Sequence, residues 1–182
     1  MLSQSELAEV WRAASGRFGD VIRLLFLTGQ RRNEIGQLRW SEVDFDRAII
    51  VLPPDRTKNK VRHELPLAPA ALAILKQRYQ ANANAKGNDA RVFRGIDWAK
   101  DKAQLDGALK GVKPWRIHDL RRTTATGMAE LGVQPHIIEA VLNHVSGHKG
   151  GVAGIYNRAR YEGEMRGALQ RWADHVEEIT KS

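Results

Sequence analysis

The chain has 182 residues, 42% of them hydrophobic, enough for one sizeable core and too few for a second full domain. Twenty-nine Lys and Arg against 21 Asp and Glu give a net charge of +8 and a pI near 10.0, which favours a polyanionic partner such as nucleic acid. The absence of cysteine excludes a disulfide framework and a thiolate metal site, and it suits a reducing cytosol. The longest apolar stretch, 21–27, is interrupted by Arg23 and falls far short of the roughly 18 residues a membrane span requires. The opening MLSQSELAEV carries Glu6 and Glu9 and lacks the segments of a signal peptide, so a cytoplasmic protein without a membrane partner is expected.

Ser3 or Ser5 can cap a first helix, with Leu7, Val10 and Trp11 at helical spacing and Glu6 and Glu9 near its positive end. A second, largely buried helix is predicted over 17–28 and is stopped by Gly29. Glu34, Ile35 and Leu38 continue as a short helix, and 47–52 reads as a strand ended by Pro53 and Pro54. Residues 61–67 form its antiparallel partner across a polar turn that carries three cations. Pro69 starts a helix through about Tyr79, and 81–89 reads as a mobile surface loop. After 98–110 the remainder looks helical: 118–131 ended by Gly132, 135–144, a piece near Tyr156, and 161–179. A glycine-rich hinge, Ser146-Gly-His-Lys-Gly-Gly, separates the middle two. The fold class is therefore mainly α with a small antiparallel β-sheet.

Three segments stand out: Thr28-Gly-Gln-Arg-Arg-Asn-Glu-Ile, His118-Asp-Leu-Arg-Arg-Thr, and Leu142-Asn-His with Ile155-Tyr-Asn-Arg downstream. In this order, across nearly the whole chain, they resemble the boxes of tyrosine recombinases of the phage integrase type. The resemblance implies the catalytic-domain fold of that family and selects Arg31 over Arg32, His118 and Arg121 in His-x-x-Arg, and His144 in Leu-x-His. It also implies Lys58, by register of the hairpin with Leu65-Pro-Leu, and Tyr156 as the nucleophile. Residues 1–182 would be a single catalytic domain, the C-terminal part of a longer integrase, with the N-terminal DNA-clamping domain absent.

The chemistry of these residue types agrees. An attacked phosphodiester gains negative charge on its non-bridging oxygens, and fixed cationic donors stabilise that charge. Arginine suits the task because its planar fork bonds two oxygens and stays protonated, so Arg31 and Arg121 would form a clamp. A phenol with an ordinary pKa of about 10 attacks well only beside a proton acceptor or in a cationic setting. His118 can be that acceptor, and at one helical turn from Arg121 it shares a face with it. The resemblance assigns Lys58 to protonate the leaving 5′-oxygen, and His144 to bond the phosphate or position the nucleophile. It implies a 3′-phosphotyrosyl link and a free 5′-hydroxyl, with no metal, ATP or other cofactor. The implied partners are double-stranded DNA carrying attachment sites, further copies of the chain in a DNA-bound tetramer (a monomer as an isolated domain), and DNA-bending accessory proteins.

Alternatives stay open at this level. Lys60 and Arg62 share the hairpin with Lys58, and Tyr161 and Tyr79 compete with Tyr156. The interval from His144 to Tyr156 is longer than the family's usual spacing, through the inserted His148-Lys-Gly-Gly. Glu34 reads as a buttress for the Arg31 segment, and Trp115 as core or as a stacking surface for DNA. Leu169, Trp172 and Val176 give the last helix an apolar face that covers either its own core or a neighbouring protomer. Rival functions are a type IB topoisomerase, a non-catalytic DNA-binding module, and a hydrolase with a metal on His136, His144 and His148.

Overall fold

The computed structural model describes residues 1–81, 90–144 and 161–181. The expected loop at 81–89, the glycine-rich hinge and the helical piece near Tyr156 lie, but for Ala81, outside the described residues.

Helix α1 (Gln4–Ala13) begins where the sequence places it, and Ser3 supplies the cap. The Ser3 hydroxyl accepts the Glu6 N–H at 3.2 Å while the Glu6 carboxylate accepts the Ser3 N–H at 2.8 Å, so two amides that α1 cannot satisfy are bonded reciprocally. Helix α2 (Gly16–Thr28) is apolar on almost every side and is correspondingly the central element, buried from Leu24 through Thr28. It packs against α1, α4 (Pro69–Ala81), α6 (Ile117–Glu130) and the last helix, α8 (Glu162–Lys181). Gly29 ends it at φ 64°, a left-handed conformation. A Cβ at Gly29 would also sit 2.8 Å from the Leu142 side chain and 3.1 Å from that of Thr124.

The short helix α3 (Arg32–Gly36) starts two residues before Glu34, and Leu38 lies beyond it, buried in the core. A 3-10 turn at Trp40–Glu42 leads into strand β1 (Val43–Asp44), which the sequence does not announce: two residues carry no alternation, and pairing with β2 (Ile49–Leu52) creates the strand. Strand β3 (His63–Pro66) completes an antiparallel sheet in the order β1-β2-β3, with Ile50 opposite Leu65 and Leu52 opposite His63. The strands are shorter than the expected 47–52 and 61–67: Arg47 and Ala48 belong to the β1–β2 turn, with Ala48 left-handed at φ 51°, and Val61 is taken up by a tight turn closed on Thr57.

Helices α4 (Pro69–Ala81), α5 (Trp98–Ala108), α6 (Ile117–Glu130) and α7 (Pro135–Val141) follow. Helix α7 stops three residues short of the expected His144, because Asn143 turns left-handed at φ 48°. Helix α8 lays Leu169, Trp172 and Val176, each no more than 2% exposed, onto its own chain's α1, α6 and α7 and onto β3. Trp172 also donates its indole N–H to the Phe26 carbonyl at 2.7 Å, which ties α8 to the central helix. Among the described residues, no helix is long and apolar enough to cross a membrane.

Gly127 of α6 lies against the Trp172 ring, where an added Cβ would fall 2.1 Å from a ring carbon. Gly127→Ala is therefore expected to destabilise the protein by about 1–3 kcal/mol in urea unfolding, although alanine is the better helix former.

Candidate active site

One cleft of about 780 Å³ is lined by residues of the α2–α3 junction, α3, the β2–β3 turn and the start of α6, and it contains Arg31, Lys58, His118 and Arg121. These four residues are separated by as many as 90 positions in the chain, and the fold brings all of them to one surface. His144 is exposed just beyond α7 and is not among the residues lining the cleft, although Asn143 beside it bonds the turn that carries Lys58. Tyr156 lies outside the described residues.

Arg121 is the cation on which the cleft is built. Only 7% exposed, it donates through Nη1 to the Gly29 carbonyl at 2.9 Å and through Nη2 to the Leu142 carbonyl at 2.8 Å. Those bonds hold the ends of α2 and α7 together and fix the guanidinium plane, leaving other N–H donors for a ligand. Burial pushes its pKa down to about 10, with the Arg31 charge acting in the same direction and Glu34 against it. It stays cationic at neutral pH. A group whose charge is disfavoured by burial and by a like neighbour is stabilised by any anion that enters the cleft.

Arg31 sits at the first turn of α3. Glu34, buried at 3% exposure, accepts the Arg31 backbone N–H at 2.9 Å and bridges its Nη1 at 3.0 Å, so the buttress expected of Glu34 is present. The same device recurs at the start of α6, where Asp119 accepts the Arg116 N–H at 2.9 Å and orients the turn bearing His118. Backbone bonding by Arg116 holds the Asp119 carboxyl below its ordinary pKa. Exposed His118 and buried Arg121 then lie one turn apart on α6.

The turn bearing Lys58 is held by residues that the motifs did not single out. Arg56 forks onto the buried Glu42 through Nε at 2.8 Å and Nη2 at 3.3 Å, and donates to the Glu34 carbonyl at 3.1 Å. Lys58 lines the cleft and Lys60 and Arg62 do not; Arg62 is bonded to Glu64 at 2.6 Å. Tyr161 packs its ring against His136, 5.2 Å between centroids, and Tyr79 packs beside Trp40 and Phe45; neither lines the cleft. Trp115 carries the Lys102 ammonium 3.9 Å from its ring centre. His148 lies outside the described residues, and among those described no group of three or more His, Asp or Glu is placed to hold a metal.

Comparison with known proteins gives a consistent picture. The profile described as the phage integrase family matches residues 3–162. Prophage integrase IntA of Escherichia coli strain K12 is 33% identical over 158 residues, which cover 82% of this chain and 36% of that protein. Prophage integrase IntZ of the same strain is 32% identical over 174 residues, covering 92% and 42% respectively. The chain therefore spans less than half the length of these two relatives. Among solved structures, the XerA recombinase superposes with a TM-score of 0.67 at 22% identity, over 96% of this chain and 62% of that one.

Arg121→Lys keeps the charge and removes the fork. It is expected to lower stability by about 1.5–3 kcal/mol in urea unfolding, because one of the Gly29 and Leu142 carbonyls is left without a donor.

Proposed function

This chain belongs to the phage integrase family, and on that footing we propose that it is the catalytic domain of a site-specific DNA recombinase that breaks and rejoins strands through a tyrosine. The observation that carries the reading is the convergence of Arg31, Lys58, His118 and Arg121 on one cleft. In this reading the scissile phosphate of duplex DNA enters the cleft, and Arg31 and Arg121 stabilise the charge that develops on its non-bridging oxygens. Arg121 is held in place before substrate arrives, so little reorganisation remains for the moment of reaction.

Tyr156 attacks phosphorus, His118 accepts the phenolic proton, and Lys58 protonates the departing 5′-oxygen. His144, next to the point where the Lys58 turn meets α7, hydrogen-bonds the phosphate or orients the nucleophile. The products are a 3′-phosphotyrosyl link and a free 5′-hydroxyl, whose counterpart on a second strand then attacks the link and completes strand exchange. The bond energy is retained in the link, and no step calls on a metal or a nucleotide cofactor. The working assembly is a tetramer of the protein on two duplexes in the cytoplasm, with DNA-bending proteins as accessory partners.

Incubation in EDTA with a nicked duplex carrying an attachment sequence, followed by an SDS quench, is expected to yield a covalent protein–DNA adduct. Tyr156→Phe is expected to abolish it. An adduct of unchanged yield in Tyr156→Phe would remove that residue as the nucleophile, and no adduct from the full-length protein on a verified site would favour a binding module. Because the positive surface meets phosphates, duplex affinity is expected to fall by about 10³-fold or more between 50 and 200 mM salt if some six phosphates are contacted; a flat dependence would contradict that.

A further inference from the structure

Asn59 follows the lysine of the β2–β3 turn, and Asn143 precedes His144; 84 positions apart in the chain, their side-chain amides face each other. Asn59 Nδ2 donates to Asn143 Oδ1 at 2.8 Å and to the Asn143 carbonyl at 3.2 Å, and Asn143 Nδ2 returns a bond to Asn59 Oδ1 at 3.3 Å. Asn143 is 3% exposed and left-handed at φ 48°, a conformation that asparagine tolerates better than other side chains and that glycine adopts freely.

The turn itself is closed and strained. The Thr57 hydroxyl accepts the Val61 N–H at 3.0 Å and donates to the Val61 carbonyl at 2.8 Å, the Lys60 N–H reaches the Thr57 carbonyl at 3.2 Å, and Lys60 sits at φ 55°. Lys58 is exposed at its outer edge, on a four-carbon stem whose ammonium has no partner among the described residues. A proton donor on so flexible a stem acts efficiently only if its backbone is held against the reacting centre.

We propose that the Asn59–Asn143 amide pair is a latch that positions Lys58, seating its turn on the shoulder of α7 and so fixing the leaving-group proton donor relative to the arginine clamp. The role rests on the recombinase reading. In the transfer, the phenolic oxygen of Tyr156 bonds to phosphorus as the bond from phosphorus to the 5′-oxygen breaks; the phenolic proton goes to His118 and the Lys58 ammonium gives a proton to the departing oxygen. The latch acts on the last of these steps alone. Arg121 reaches the adjacent Leu142 carbonyl, so the clamp and the latch share one anchor without sharing a hydrogen bond.

The test uses Asn59→Ala and Asn143→Gly, the second of which keeps the left-handed backbone and removes only the amide, with Lys58→Ala as reference. Each is assayed on a nicked duplex with the ordinary 5′-oxygen and on one with sulfur at that bridging position, since a thiolate leaves without being protonated. Both latch variants are expected to slow cleavage of the oxygen substrate by about 10- to 100-fold, to cleave the sulfur substrate at the unmodified protein's rate, and to add no further loss to Lys58→Ala. Equal slowing on both substrates, or slowing on neither, would overturn the positioning role. Hydrogen exchange tests the latch without reference to activity: the Lys60 and Val61 amides are expected to exchange faster in Asn143→Gly while the β2–β3 ladder is unchanged. Unaltered exchange at those amides would overturn the latch itself. Absence of an adduct from the unmodified protein with either leaving group would overturn the recombinase reading and the role of Lys58 with it, and exchange would still decide whether the latch exists.

Discussion

The last carbonyls of a helix have no partner within it, and at the end of α7 side chains from elsewhere in the fold supply the missing donors. The Val141 carbonyl accepts from Gln30 Nε2 at 2.8 Å and from His63 Nε2 at 3.1 Å, the Leu142 carbonyl from Arg121, and the Asn143 carbonyl from Asn59. Those donors belong to the α2–α3 junction, β3, α6 and the β2–β3 turn, which are the segments that bring the cleft together or flank it. Three consecutive peptide groups immediately before His144 thus join segments that the chain keeps far apart. Had these carbonyls been left bare at buried positions, each would carry a penalty of about 1–3 kcal/mol, so the hub holds the site and the site's neighbours hold the hub.

Charge in the cleft follows from the same arrangement. Arg121 is buried because its two carbonyl partners are buried, and burial makes its charge unfavourable; Arg31 nearby adds to that and Glu34 offsets it. Glu34 and Glu42 are both buried and each is engaged by an arginine; Glu34 also borders the cleft, beside Asp55 and the more numerous cations. A buried ion pair is weak evidence of stability in itself. Here the pairs fix where Arg31 and the Lys58 turn stand, and the cleft's lining keeps an excess of cations over Glu34 and Asp55.

Much of this was legible in the residue order. The caps at Ser3, Gly29, Pro69 and Pro135 announce helices that the structure contains, because a cap is a local contract between neighbouring residues. The boxes around Arg31, His118 and Arg121 stood out for a similar reason, since each is compact in sequence. Strand β1 was not legible, because its two residues become a strand only by pairing with β2. Gln30, Asn59, His63 and Asn143 were passed over because their roles consist of bonds to carbonyls or amides as far as 111 positions away. The one local signal for them was an asparagine just past a helix end at Asn143, where a left-handed residue is common. Which of Lys58, Lys60 and Arg62 lines the cleft, open in sequence, turns on how a five-residue turn closes on Thr57.

The proposed chemistry requires Arg31 to answer the charge of a single phosphate in the cleft. That is measured most directly by replacing one non-bridging oxygen of the scissile phosphate with a methyl group, which removes its charge, and comparing the unmodified protein with Arg31→Ala on both substrates as a two-by-two cycle. A large loss from Arg31→Ala is expected on the phosphate and a much smaller one on the neutral substrate, while neutralising an adjacent phosphate leaves the large loss in place. Equal losses on charged and neutral scissile groups would mean that Arg31 does not face the reacting phosphate, and would contradict its role in the clamp.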